Sequence, residues 1–129
     1  MKSFKKTILA LGLTLCIIAG VGSASFAAYS TSTYINGAHA FANSFCYPYE
    51  GRSSTLYFGT GLVTLNTVYT YVNYKTLATG SMSRSDGANR REVSFRFIAP
   101  SNCRSLHISS SHLVYTGGQT WNVTTSHDW

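Results

Sequence analysis

Four histidines, four acids and three cysteines are the side chains of this chain that could move a proton, hold a metal or form a covalent bond. Their spacing constrains each of those chemistries. A glycosidase needs two carboxyl groups facing each other across a sugar, whereas Glu50, Asp86, Glu92 and Asp128 are far apart and sit mostly at turns or ends. Asp86 stands in the run Ser85-Asp86-Gly87-Ala88-Asn89, where Asp favours a turn by bonding its own backbone. Glu92, beside Arg91, reads as an exposed strand position. His39, His107, His112 and His127 could act as bases or ligands, and His107 and His112 flank Ser109-Ser110-Ser111. On a continuous strand, however, residues an odd number apart face opposite ways, so these two share a site only through a bulge. No nucleophile-elbow motif surrounds any serine, and no C-x-x-C or C-x-x-H spacing supports a metal. The residues point away from hydrolysis, and no catalytic residue, metal or cofactor is expected.

The cysteines carry a different expectation, because it depends on export. Lys2, Lys5 and Lys6 precede the apolar run Ile8 to Val21, and Ser23-Ala24-Ser25-Phe26-Ala27 supplies small residues at −3 and −1. This is the layout of a cleaved Sec-type signal peptide over residues 1–27, with the cut after Ala27 or, second, Ala24. The apolar core falls short of the roughly 20 residues that span a bilayer. Leu15 before Cys16 and Ile17-Ile18 after it do not fit a lipid-attachment site, and no sorting motif closes the sequence, so no stable membrane anchor is expected. Cys16 leaves with the leader, and Cys46 and Cys103 remain as the only thiols of an exported protein. A disulfide between them would close a loop of about 58 residues, worth roughly 4 kcal/mol in the chain-entropy model. Two buried free thiols, or a metal pair with histidine, are the competing readings.

Removing the leader also takes three of the ten basic residues, leaving Lys75 and six arginines against four acids, so the formal charge falls from +6 to +3. That weakens any charge argument for nucleic acid, and none is expected as a partner. The cluster Arg84 to Arg91 reads as a solvated loop, with an anionic envelope polymer as the alternative. The remaining residues 28–129 suffice for one domain.

The elements that must position these residues are strands. Period-two alternation runs through the mature sequence, and nothing sustains a helical 3.6-residue spacing. Tyr29 to Ile35 and Ala38 to Cys46 bracket Asn36-Gly37, a strong hairpin signal. Pro48 to Gly51 breaks the chain, Thr55 to Phe58 is a short strand, and Leu62 to Tyr74 is a long one with Val63, Leu65, Thr67, Tyr69 and Tyr71 on one face. Thr76 to Ser83, Glu92 to Ala99, Leu106 to Tyr115 and Thr120 to Thr125 follow, the last two around Gly117-Gly118. Seven or eight strands at this spacing predict an all-β fold, a small antiparallel β-sandwich over residues 28–129, with a barrel as second choice.

Nine Tyr, two Trp and five Phe stand in residues 28–129 among many Ser, Thr, Asn and Gly. Sheets favour these aromatics in any case, but Tyr47, Tyr49 and Trp129, on a turn and at the terminus, are the ones a core explains least. They are the candidate ligand-binding residues, since Tyr and Trp offer broad contact area with a polar tip. The lysine-led leader, the Ser/Thr/Tyr-rich β body, the run Trp121 to Ser126 and the aromatic Trp129 resemble small uncharacterised exported proteins of Gram-positive bacteria. The same features are similar to the lactococcin 972 family of secreted bacteriocins, a resemblance that implies a β-sandwich acting on cell-wall precursors; no functional residue of that family transfers. The expected function is non-enzymatic binding outside the cell, to a cell-wall or other envelope polymer or a surface protein. A bacteriocin-like toxin is the alternative, and a small secreted hydrolase the third reading.

Overall fold

The structure is a computed structural model that describes residues 28–129; the expected signal peptide, residues 1–27, lies outside the described residues. Eight strands form here: β1 (Ser30–Ile35), β2 (Ala38–Tyr47), β3 (Glu50–Tyr57), β4 (Leu62–Asn73), β5 (Thr79–Ala88), β6 (Glu92–Ile98), β7 (Cys103–Thr116) and β8 (Gln119–Asp128). They make two four-stranded antiparallel sheets, ordered β1-β2-β3-β6 and β5-β4-β7-β8, packed face to face as a β-sandwich. Among the described residues no helix is long and apolar enough to cross a membrane.

The two predicted hairpins form where positive φ is needed. Asn36 and Gly37 stand at φ 49° and 79°, and Gly117 and Gly118 at 53° and 79°, the left-handed pair that a type I′ turn requires. Other boundaries differ from the sequence reading. Pro48-Tyr49 is only a two-residue turn, with Tyr47 opposite Glu50, so β3 starts five residues earlier than Thr55. β5 runs straight through Asp86-Gly87, because Asp86 makes its expected local bond, accepting the Gly87 N–H at 2.8 Å, without bending the strand.

Inward-facing apolar residues fill the space between the sheets, and Tyr57, Val63, Leu65, Tyr69, Val93, Phe95, Phe97, Ile108 and Val114 are all buried. Tyr69 stacks on Phe97 across the sandwich at 5.5 Å between ring centres. Gly51 makes room for it: a Cβ there would lie 2.6 Å from Tyr69 Cδ2. On the side between β5 and β6 the Arg84 guanidinium covers the Phe95 ring at 4.8 Å. On the opposite side Gln119 Oε1 accepts the Asn36 N–H and Ala28 O accepts the Ser126 N–H, so β1 is held to β8.

Candidate functional site

β2 is turned opposite to what its composition suggests. Inward it presents only small residues, Ala40, Ala42, Ser44 and Cys46, each buried; outward it presents His39, Phe41, Asn43, Phe45 and Tyr47. Burial of large apolar side chains drives folding, yet here the bulk points away from the core. The outward residues of β1 and β3 continue the pattern. Tyr34, opposite His39, stacks on it at 3.8 Å, His39 leans on Phe41 at 4.7 Å, and Phe41 meets Phe58 edge-on at 6.0 Å. The Arg91 guanidinium sits over Phe58 at 5.4 Å.

The other end of the same face has a second group. Phe45 contacts Tyr29 at 5.4 Å and Tyr47 at 6.5 Å, and Arg52 covers the Tyr47 ring at 5.7 Å. Between the two groups lie Ser30, Asn43, Ser54 and Ser94, with Ser54 Oγ donating to Asn43 Oδ1 at 3.0 Å. The result is a sheet face with an aromatic group at either end and short polar side chains in the middle.

Of the three predicted ligand-binding residues, Tyr47 belongs to this face. Tyr49, on the β2–β3 turn, is 63% exposed, and Trp129 is 58% exposed. One end of the sandwich holds all three, because Ser105 N–H donates to Pro48 O and, one residue on, Trp129 N–H donates to Leu106 O. Tyr34, Phe41 and Phe58 were not singled out by sequence, and His39 and Arg91 were named only as a possible base or ligand and as part of the Arg84 to Arg91 cluster. Their signal was the alternation of β2 itself, in which large and small residues take opposite parities.

The groups that could do chemistry are tied up elsewhere. His107 and His112 do face opposite ways, although a bulge between Thr70 and Tyr71 interrupts β4–β7 pairing near them. His107, facing outward, binds the Asp128 carboxylate through Nδ1. Glu50 accepts from Arg96 Nε at 2.6 Å and from Arg52 at 3.2 and 3.3 Å, and these bonds, Arg96 first, hold its carboxyl below the ordinary pKa. Asp86 pairs with Arg90. His127 Nδ1 accepts the Cys46 N–H at 2.8 Å. Cys46 and Cys103 are both buried and free, and burial pushes the Cys46 thiol up to about 11. Among the described residues no three His, Cys, Asp or Glu side chains are placed to hold a metal.

His112 lies at the centre of the sandwich, fully buried, in a band of hydroxyls contributed by both sheets. Thr55 donates to Thr64 O at 2.9 Å and therefore accepts from His112 Nδ1–H at 2.7 Å, which leaves Nε2 to accept from the Thr125 hydroxyl at 2.7 Å. Ser44 Oγ is 2.7 Å from both Thr125 Oγ1 and Ser110 Oγ, and Ser110 is also close to Ser53 and Thr67. Burial alone drives the His112 pKa down to about 3, so the ring is neutral and serves as a bridge between the sheets.

Comparison with protein-family models, with curated proteins and with solved structures finds no match to this chain.

Proposed function

We propose that the chain is a secreted, non-enzymatic binding module that engages a polar polymer of the cell envelope through the outward face of the β1-β2-β3-β6 sheet. The inversion of β2 carries this reading. Phe41, Phe45, Tyr47 and their neighbours Tyr34 and Phe58 sit on a rigid sheet with their rings turned to solvent, where they add little to the core and offer flat apolar faces beside hydroxyl and amide groups. Sugar rings have the complementary character, apolar on their C–H faces and polar at their rims. Arginines over Tyr47 and Phe58 hold two of those rings in place by cation–π contact while adding donors for anionic groups. The engagement of Glu50, His107 and His112 in internal bonds favours binding over catalysis.

The test is retention on purified Gram-positive cell-wall sacculi and on whole cells, compared with Tyr34→Ser and Phe58→Ser variants. Removing one anchor of this kind is expected to weaken binding by about 10- to 30-fold while stability stays within about 0.5 kcal/mol. Retention of the unaltered protein no greater than that of a charge-matched control, or variants that bind as well as it does, would refute the assignment.

A further inference from the structure

We infer that the chain forms a symmetric dimer in which the open edge of β5 pairs antiparallel with β5 of a second copy, centred on Ser85. Edge strands expose a row of unpaired N–H and C=O groups, and proteins ordinarily blunt them with short strands, bulges, lysine or proline. The β1 and β8 edges cover each other, through the bonds from Ser126 N–H to Ala28 O and from Asn36 N–H to Gln119 Oε1. β5 lacks such protection. It runs ten residues in unbroken register with β4, without lysine, proline or bulge, and Ser83, Arg84, Ser85, Asp86 and Gly87 are all exposed.

Which backbone groups face the edge follows from the turn before it. Asn73 N–H donates to Ala78 O and so points toward β5, whereas Tyr74 N–H donates to Asn102 O and points toward β7. Alternation along the antiparallel ladder then turns the N–H and C=O of Gly80, Met82, Arg84 and Asp86 toward β4, and those of Ser81, Ser83, Ser85 and Gly87 toward the open edge. The Gly87 N–H agrees with this parity, since its acceptor is the Asp86 side chain and not a β4 carbonyl. A second β5 strand can therefore pair only with odd-numbered residues facing odd ones and even facing even.

Charge selects among the registers that remain. Met82 packs on the core and Arg84 covers Phe95, so the even-numbered side chains share the inward face, and Arg84 and Asp86 are its charges. Centring the pair on Arg84 or on Asp86 sets like charges directly opposite each other, which is destabilising. Centring on Ser83 leaves both facing uncharged residues, Met82 and Gly80. Only centring on Ser85 sets Arg84 opposite Asp86 of the second copy, twice by symmetry, with Ser83 bonded to Gly87. Among the described residues Arg84 has no carboxylate partner within its own chain, and Asp86 pairs with Arg90 at the surface. Turning Asp86 to the incoming Arg84 frees the Gly87 N–H for the new ladder. The two-fold axis stands perpendicular to the sheet, so the aromatic faces of both copies point the same way and one surface can meet both. Pairing itself needs no ligand, and the inference stands apart from the binding assignment.

The experiment is sedimentation equilibrium on the full chain in reductant, from about 1 μM to about 1 mM, with circular dichroism to check the fold. The unaltered protein is expected to dimerise. Arg84→Asp and Asp86→Arg each place two like-charge pairs in the interface and weaken association by about 10- to 100-fold. The double variant Arg84→Asp, Asp86→Arg restores it, and an equimolar mixture of the two single variants forms a heterodimer, because each supplies the charge the other lacks. Ser85→Pro removes only an edge-facing N–H, which an edge strand tolerates, and is expected to be monomeric; it decides the matter should a charge variant fail to fold. A monomer at the highest concentration, or association that the single charge variants or Ser85→Pro keep, as a contact elsewhere on the chain would, overturns the inference.

Discussion

Lowering the pH from 7 to 4.5 is expected to remove about 3 kcal/mol of stability through His112. The sign follows from the two states. In the unfolded chain the ring titrates near its ordinary value of 6.5, and in the folded protein burial depresses it to about 3. Between those values the unfolded state binds a proton that the folded state refuses, so stability is fully present above 6.5 and is lost as pH falls toward 3. Two pH units below 6.5, at about 1.4 kcal/mol per unit, give the figure at pH 4.5. That is a large share of the 5–15 kcal/mol usual for a domain of this size. Glu50, whose carboxyl is held below 4.5 by Arg96 and Arg52, loses its contribution only under more acid conditions, which leaves the chosen window clear of it. The assay is urea unfolding at 25 °C at pH 7.0, 5.5 and 4.5, on the unaltered protein and on His112→Gln. The variant loses about 1–3 kcal/mol at pH 7, where Thr55 or Thr125 gives up a bond, and its stability then varies less with pH by the amount assigned to the ring. Parallel curves for the two proteins across this window would refute the argument.

Two substitutions in the core test the packing and the hydroxyl band separately. Gly51→Ala, whose Cβ would stand 2.6 Å from Tyr69 Cδ2 and 3.0 Å from Ile108 Cδ1, is expected to destabilise by about 1–3 kcal/mol in urea titration; a neutral result would mean that Tyr69 is free to move. Ser110→Ala is expected to cost about 1–3 kcal/mol, because Thr67 loses its hydroxyl partner, while Ser44→Ala costs less than about 1 kcal/mol. Equal losses would show that a shortage of protons does not limit the network.

Six hydroxyls, on Ser44, Ser53, Thr55, Thr67, Ser110 and Thr125, and one neutral imidazole supply seven protons to nine close contacts, two of them to the carbonyls of Asn43 and Thr64. Two contacts therefore lack a proton at any moment, and three of the nine belong to Ser44. Removing Ser44 takes away one proton and three contacts, which leaves six of each. Its neighbours keep partners, and the shortage disappears.

The sandwich was legible because its signals are local. Asn36-Gly37 and Gly117-Gly118 dictate their turns, and Val93, Phe95 and Phe97 alternate with Glu92, Ser94 and Arg96 as a half-buried strand must. The hydroxyl band was not legible, since Ser44, Ser53, Thr67 and Thr125 belong to types equally at home on a solvated face, and only cross-sheet proximity marks them as buried. The same ambiguity hid the aromatic face. Tyr47 and Tyr49 stood out by lying at a turn, whereas Phe41 and Phe58 read as ordinary strand residues whose inward placement hydrophobicity would favour.

The band and the face are two sides of one register. A slip of β2 by one residue would carry Phe41 and Phe45 into the core and gain apolar burial. It would also bring Asn43 inward in place of Ser44, break the contacts to Ser53, Ser110 and Thr125, and press large rings onto the space that Tyr57, Tyr69 and His112 already fill. The hydroxyls of β3, β7 and β8 keep partners without Ser44, so the filled space and the burial of Asn43 decide the register. The filled interior, together with the cost of burying Asn43, thereby opposes the hydrophobic preference of β2, and the consequence is an aromatic surface held outward by packing on the opposite side of the sheet.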